Sequence, residues 1–217
     1  MTLAIAIPMK DPSLCKTRLS GYLLDDTRQQ LALALFEHTL AFFRETFPDL
    51  PVMVVTASDC IARRSRHLGA GVIDEASANG LNAAAALATD WATQAGYQSL
   101  LIVPSDIPVL LQTEIDPLLR LRNHHQVVIA ESIDGGTNAL LLSPPDCLPF
   151  HYGPGSALIH EISAHGRRLS CRRLRPVHLS RDVDTPDDLS VLRSSLPGAI
   201  IRNRIDDEAG YSHDSLH

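Results

Sequence analysis

Apolar positions along this 217-residue chain follow two alternating rhythms. Unbroken apolar runs at residues 3–8, 52–56, 71–73, 100–103 and 127–130 suit strands buried on both faces and are too short for helices. Between them lie stretches with helical spacing. The first opens at Asp25 or Asp26, either of which can cap it, and carries Leu31, Leu35, Leu40 and Phe43 before Pro48 ends it. The others cover 59–68, the alanine-rich 81–95 behind Asn79-Gly80, and 114–122. Strands alternating with helices predict βαβ units, a three-layer α/β/α arrangement and a mainly parallel sheet. Ligands are then expected at the carboxyl ends of the strands.

After Glu131 the rhythm changes. Gly135-Gly136-Thr137-Asn138 leads into the apolar run 139–142 and then Pro144-Pro145, and Gly153-Pro154-Gly155-Ser156 opens a helix to about His165. The pattern predicts an insertion covering the site rather than another βα unit. A strand over 177–181 and a helix from Thr185 to about Leu196 complete a single domain, 1–196. Residues 197–217 have little apolar periodicity and read as a mobile tail.

Composition narrows the classes of function. Lys plus Arg number 19 against 25 Asp plus Glu, a net charge of −6 that opposes phosphodiester backbones, so no nucleic-acid partner is expected. The one basic cluster, Arg167-Arg168 with Arg172, Arg173 and Arg175, reads as solvated surface. Cys15, Cys60, Cys147 and Cys171 lack a paired C-x-x-C spacing, against a zinc site or a secreted disulfide framework. The run at 3–7 is too short to span a bilayer and no basic region precedes it, so no membrane partner and a cytoplasmic location are expected. None of the ten histidines has a metal-ligand spacing, and G-x-S-x-G is absent, so acyl transfer is unsupported.

Four segments can carry chemistry. In Arg181-Asp182-Val183-Asp184-Thr185-Pro186-Asp187-Asp188, an extended backbone would put Asp182 and Asp184 on one side and Val183 in the core. Two converging carboxylates suit a hard divalent cation such as Mg²⁺. Thr185, Pro186, Asp187 and Asp188 read instead as a helix start, with a capping hydroxyl, a proline at the first position and acids against the dipole. Asp106, between Pro104 and Pro108 just beyond a buried strand, is a turn aspartate or a third metal ligand. The loop from Met9 to Arg18 brings Lys10, Lys16 and Arg18 within nine residues, enough to neutralise a triphosphate, yet it lacks Walker glycines. Gly135-Gly136-Thr137-Asn138 and Gly153-Pro154-Gly155-Ser156 are ordinary turns or two anion nests.

Taken in order, these segments resemble the guanylyltransferases that activate a three-carbon phospho-acid for the side chain of coenzyme F420. The resemblance is carried by Pro8-x-Lys10, Lys16-Thr17-Arg18-Leu19, Gly80-Leu81-Asn82, Pro104-Ser105-Asp106-Ile107-Pro108, Gly136-Thr137-Asn138-Ala139-Leu140, Gly153-Pro154-Gly155-Ser156 and Asp182-Val183-Asp184-Thr185. It implies a nucleotidyltransferase of glycosyltransferase-A-like fold that moves GMP from GTP onto 2-phospho-L-lactate, phosphoenolpyruvate or 3-phospho-D-glycerate, releasing pyrophosphate. By resemblance Asp106, Asp182 and Asp184 hold Mg²⁺, or Mn²⁺ in its place. Thr137, Gly153 and Ser156 bind the phospho-acid, Lys10, Lys16 and Arg18 face the nucleotide phosphates as the catalytic cations, and Gly80, Leu81 and Asn82 lie near the base. Expected partners are GTP and the phosphorylated acid; hand-over to the downstream transferase of the same pathway and a homodimer stay open. Molybdopterin and sugar-phosphate nucleotidyltransferases of the same fold compete with this reading, although their usual G-x-G-x-R loop is missing. A non-catalytic nucleotide-binding module is the alternative from another class.

Overall fold

The computed structural model describes residues 2–195, 204–206 and 208. In chain order the elements are β1 (Leu3–Pro8), α1 (Asp25–Thr46), β2 (Val52–Thr56), α2 (Asp59–His67), β3 (Gly71–Asp74), α3 (Leu81–Gln94), β4 (Ser99–Ile102), α4 (Gln112–Leu121), β5 (Val127–Glu131), β6 (Thr137–Leu142), α5 (Ser156–Gly166), β7 (Cys171–Leu174) and α6 (Pro186–Leu192).

The described strands form one seven-stranded sheet in the order β3-β2-β1-β4-β6-β5-β7. Pairings β1–β2, β2–β3, β1–β4 and β5–β7 are parallel; only β6, wedged between β4 and β5, runs against its neighbours. Side chains alternate through the sheet as the strand period requires. Leu3, Ile5 and Ile7 share a core with Phe36, Leu40 and Phe43 of α1, Ile61 of α2 and Ile115 and Leu118 of α4. Ala4 and Ala6 face the other way, against Ala84, Ala85, Ala88 and Ala92 of α3. Small residues on both partners let this helix lie close to the sheet. Farther along that face, Ala157 and Ala164 of α5 cover Val127, Ile129, Leu140 and Leu142. The architecture is the three-layer α/β/α sandwich that the pattern predicts.

Four expectations need correction. The apolar run after Asn138 does not cover the site: it is β6, buried along its whole length at the middle of the sheet. A strand with neighbours on both sides and helices above and below needs a fully apolar sequence, which Ala139–Leu142 supplies. No strand forms at 177–181. That segment is a turn, because its amides find another acceptor: the Glu114 carboxylate takes the N–H of His178 and of Leu179 at 3.0 and 2.9 Å. The last strand is the arginine-bearing β7 instead, an edge strand where charged side chains are tolerated. Arg173 there is not merely solvated surface, since it pairs with Glu131 and Glu161. Finally, the cap position of α1 is Leu24, not Asp25 or Asp26; its N–H donates to Glu208 at 2.8 Å.

Of the expected tail, 197–217, residues 204–206 and 208 are described. Ile205 is buried with Leu19, Leu23, Leu31, Leu35, Val183 and Leu189, and Glu208 also accepts the Thr27 hydroxyl. The remainder of that expectation lies outside the described residues. Among the described residues, no helix is long and apolar enough to cross a membrane.

Candidate active site

The chain winds from β1 outward through β2 to β3, then returns to place β4 on the other side of β1. Loops leaving β1 and β4 therefore diverge and open a crevice at the carboxyl ends of both strands. A cleft of about 490 Å³ lies there, lined among others by Lys10, Lys16, Gly80, Leu81, Asp106 and Asp184.

The loop after β1 is braced from several sides. Asp11 accepts the Ser13 N–H and hydroxyl at 3.0 and 2.6 Å and the Ser58 hydroxyl at 2.6 Å, and these bonds hold its carboxyl below the usual aspartate range. Buried Arg28 donates to the Cys15 carbonyl at 2.6 Å. Lys16 then adopts a left-handed backbone, φ 53°, uncommon for a residue with a side chain. That turn drives its stem into the protein, where the ammonium meets Asp106 Oδ2 at 2.8 Å and Asp184 Oδ1 at 3.0 Å. Burial disfavours the charge, but the two carboxylates outweigh burial and keep Lys16 above the ordinary lysine value.

Asp182 completes the group. One carboxylate oxygen from each of Asp106, Asp182 and Asp184 lies within 4.8 Å of the other two. Residues 181–184 lie outside any strand, but the backbone still alternates: Val183 is fully buried while both acids are partly exposed. Burial, then repulsion from Asp106 and Asp184, raises Asp182 from 3.8 to about 6. Three hard oxygen donors grouped beside the cleft, two of them from residues that line it, can hold a divalent cation.

The other predicted residues are spread around this centre. Arg18 sits at the rim, with Nη1 3.5 Å from Asp184 Oδ2 and its side chain 69% exposed. Gly80, at φ +88°, turns the chain into α3. Asn82 does not face the cleft with a free amide: its Oδ1 accepts the Tyr152 N–H at 2.7 Å, which ties α3 to the loop carrying Gly153. Thr137 and Ser156 meet directly, Oγ1 to Oγ at 2.9 Å, and both are buried. The first two amides of α5 are already committed, Ser156 to the Gly153 carbonyl and Ala157 to that of Gly135. The hydroxyl pair, more than the helix terminus, is what this nest offers an anion.

The family described as "Guanylyl transferase CofC like" matches residues 3–194. The chain belongs to this family. A 3-phospho-D-glycerate guanylyltransferase of Colwellia psychrerythraea is 42% identical over 87% of this chain and 90% of the relative. A phosphoenolpyruvate guanylyltransferase of Sphaerobacter thermophilus is 33% identical over 91% and 95%. Among solved structures, a Desulfovibrio desulfuricans G20 protein assigned as a nucleotide-diphospho-sugar transferase superposes with a TM-score of 0.76 at 20% identity, covering 100% of this chain and 97% of that one. At that identity the likeness establishes the nucleotidyltransferase-like fold alone.

Two carboxylates shape this candidate site without belonging to the acid cluster. Asp188 Oδ2 accepts the N–H of Asp184 at 3.1 Å and both the N–H and hydroxyl of Thr185 at 2.7 Å, while Thr185 caps the Asp188 amide. This capping box starts α6, with Pro186 at its first position, as the sequence predicts. Asp188→Ala should lower stability by ~1 kcal/mol. Turnover should fall less than about tenfold, because the three clustered carboxylates remain. A collapse as deep as that of Asp184→Asn, at unchanged melting temperature, would mean that Asp188 is itself a ligand.

Glu114 was not singled out by the sequence, where a lone acid in the first turn of a helix has no motif around it. It grips the 177–180 turn immediately before Asp182, and these amide bonds hold its carboxyl below the usual range even though burial pushes the other way. Glu114→Ala strips the acceptor from two backbone amides and should cost ~2–3 kcal/mol. For a depressed carboxyl the contribution is present above its ordinary value of 4.5 and fades as pH falls through the folded value. The melting gap between wild type and variant should therefore narrow in acid; a gap that widens on acidification would refute the assignment.

Proposed function

We propose that this guanylyltransferase transfers GMP from GTP to 3-phospho-D-glycerate, with phosphoenolpyruvate and 2-phospho-L-lactate as poorer acceptors. The grouping of Asp106, Asp182 and Asp184 beside a switch-point cleft that Lys10, Lys16, Asp106 and Asp184 line carries the reading. A polyphosphate with its counter-cation is served by such a mixture, the acids taking the cation and the lysines the phosphates. The choice of acceptor is supported by 42% identity to the 3-phospho-D-glycerate enzyme against 33% to the phosphoenolpyruvate enzyme.

In the reaction a phosphate oxygen of the acceptor bonds to the α-phosphorus of GTP as the bond to the bridging oxygen breaks, and pyrophosphate leaves. Mg²⁺ held by the three aspartates would neutralise charge on the phosphates. Lys10 on the cleft wall and Arg18 at the rim supply further positive charge where pyrophosphate departs. Lys16 balances two of the acids before substrates arrive and is a second cation for the phosphates. Gly80 and Leu81, with no capping side chain, leave the start of α3 open to the nucleotide. Thr137, backed by the Ser156 hydroxyl and flanked by the Gly153 turn, receives the acceptor's anionic groups.

The test is pyrophosphate release from GTP and Mg²⁺ with each of the three phospho-acids. The expected result is release that requires both substrates, with the highest kcat/KM on 3-phospho-D-glycerate. Release with a sugar phosphate or molybdopterin and with none of the three acids would overturn the reading. GTP binding without any pyrophosphate would point to a non-catalytic module.

A further inference from the structure

Thr137 on β6 and Ser156 and His160 on α5 form a buried polar chain that one ring can orient. His160 is fully buried, four residues and one turn beyond Ser156. Both of its nitrogens are engaged. Nε2 lies 2.9 Å from the backbone N of His151, and an amide N–H can only donate, so Nε2 carries a lone pair. Nδ1 lies 3.1 Å from Thr137 Oγ1. Burial, with the charge of His151 adding, lowers His160 to about 4, so the ring is neutral at pH 7. A neutral imidazole has one ring proton, and here it must sit on Nδ1 and point at Thr137.

We propose that His160 is a positioning residue for the acceptor: by donating to Thr137 it leaves the Thr137–Ser156 pair one hydroxyl proton to offer an anion. The inference rests on the reading of that pair as the acceptor's site. Its logic is a count of protons. The two hydroxyls bring two, and the bond between them at 2.9 Å uses one. Because the ring donates, the second stays free. With a ring that accepted at Nδ1, Thr137 would donate to the ring and Ser156 to Thr137. Both protons would be spent, and the pair would turn lone pairs toward a phosphate or carboxylate. Thr137 keeps 8% exposure against 0% for Ser156 and His160, so the spare proton leaves through Thr137, with Ser156 donating to it from behind. Neighbouring rings hold the imidazole in place: Tyr152 meets it edge-on at 5.3 Å.

His160→Asn and His160→Gln separate the two ends of the ring. An asparagine amide reaches about as far as Nδ1 and can still donate to Thr137. Glutamine reaches the Nε2 position, where it can accept from His151 but leaves Thr137 without a donor. With wild type, His160→Asn and His160→Gln in steady state, the acceptor KM should stay within about threefold for asparagine and rise about tenfold for glutamine, the scale of one lost hydrogen bond. The KM for GTP should hold in both. Equal behaviour of the two variants, or a larger loss with asparagine, would overturn the proposal. A measurement on the unaltered protein does not depend on either variant folding: ¹⁵N-resolved NMR of the His160 ring should show the proton on Nδ1, and a proton on Nε2 would overturn the proposal by itself. If wild type uses none of the three phospho-acids, the functional reading fails, while the ring's tautomer is still decided by NMR.

Discussion

Asp106→Asn, Asp182→Asn and Asp184→Asn are each expected to reduce turnover by ~10²–10³-fold, the loss of ~3–4 kcal/mol of transition-state stabilisation. Each exchange keeps the shape of the side chain and removes a charged oxygen donor from a group whose oxygens lie within 4.8 Å of each other. The three should differ in stability. Asp106 and Asp184 each hold the buried Lys16 ammonium, so either variant leaves that charge with one partner fewer. Asp182 makes no such pair with Lys16, and its ionised form is disfavoured by burial and by both neighbours. Asp182→Asn should thus keep its melting temperature, or gain slightly, while losing Mg²⁺ affinity. Calorimetric Mg²⁺ titration beside single-turnover rates checks this. Near-wild-type turnover in all three variants would end the metal assignment.

The next largest effect is expected at the hydroxyl pair. Thr137→Ala removes the group that the proposed function puts nearest the acceptor, and the acceptor's KM should rise ~10–100-fold, the value of a hydrogen bond to a charged group. Ser156→Ala should move the same constant in the same direction by a smaller factor, because in the proposed arrangement the fully buried Ser156 reaches the acceptor only through Thr137. The KM for GTP should hardly change in either. Lys10→Ala should give the mirror image, with GTP weakened and the acceptor nearly kept. Lys16→Ala shares that direction, but it also uncovers Asp106 and Asp184, so Lys10 is the cleaner partner for comparison. Kinetics with each substrate varied in turn decide the matter. An equal loss of GTP and acceptor in Thr137→Ala would mean one shared phosphate site in place of two.

The parts of the fold visible in the sequence are those where one local rule is enough. β1, β2, β4 and β5 are central or near-central strands, and burial on both faces forces an apolar run that can be read directly. β7 is an edge strand; two of its four residues are arginine, because edge positions do not demand apolar side chains. β6 has the right run, but its direction depends on which strands it joins, and that choice is made across the chain. In the site, the alternation Asp182-Val183-Asp184 and the place of Asp106 just beyond a buried strand were enough to pick out the three acids that the structure brings together. Pairing of Lys16 with two of them was not visible, since it depends on a left-handed turn at a residue with no glycine to announce it. Glu114 and His160 act through single contacts to backbone or hydroxyl groups. Such contacts leave no spacing, although His160 at four residues from Ser156 falls on the same helical face.

The reversed strand β6 also divides the molecule into two rims. Running against its neighbours, it begins at the edge where β1 and β4 end, so Thr137 stands at the working rim although it opens its strand. Its far end, Leu142, delivers the chain to the opposite rim, where Ser143 bonds to Ser99 at the start of β4 and to Gln126 just before β5. The exposed turns of that rim, around Gln98 and His124, lie a full strand length from the acids. They are the natural positions for a fluorescent label or an inserted reporter that must leave both substrates undisturbed.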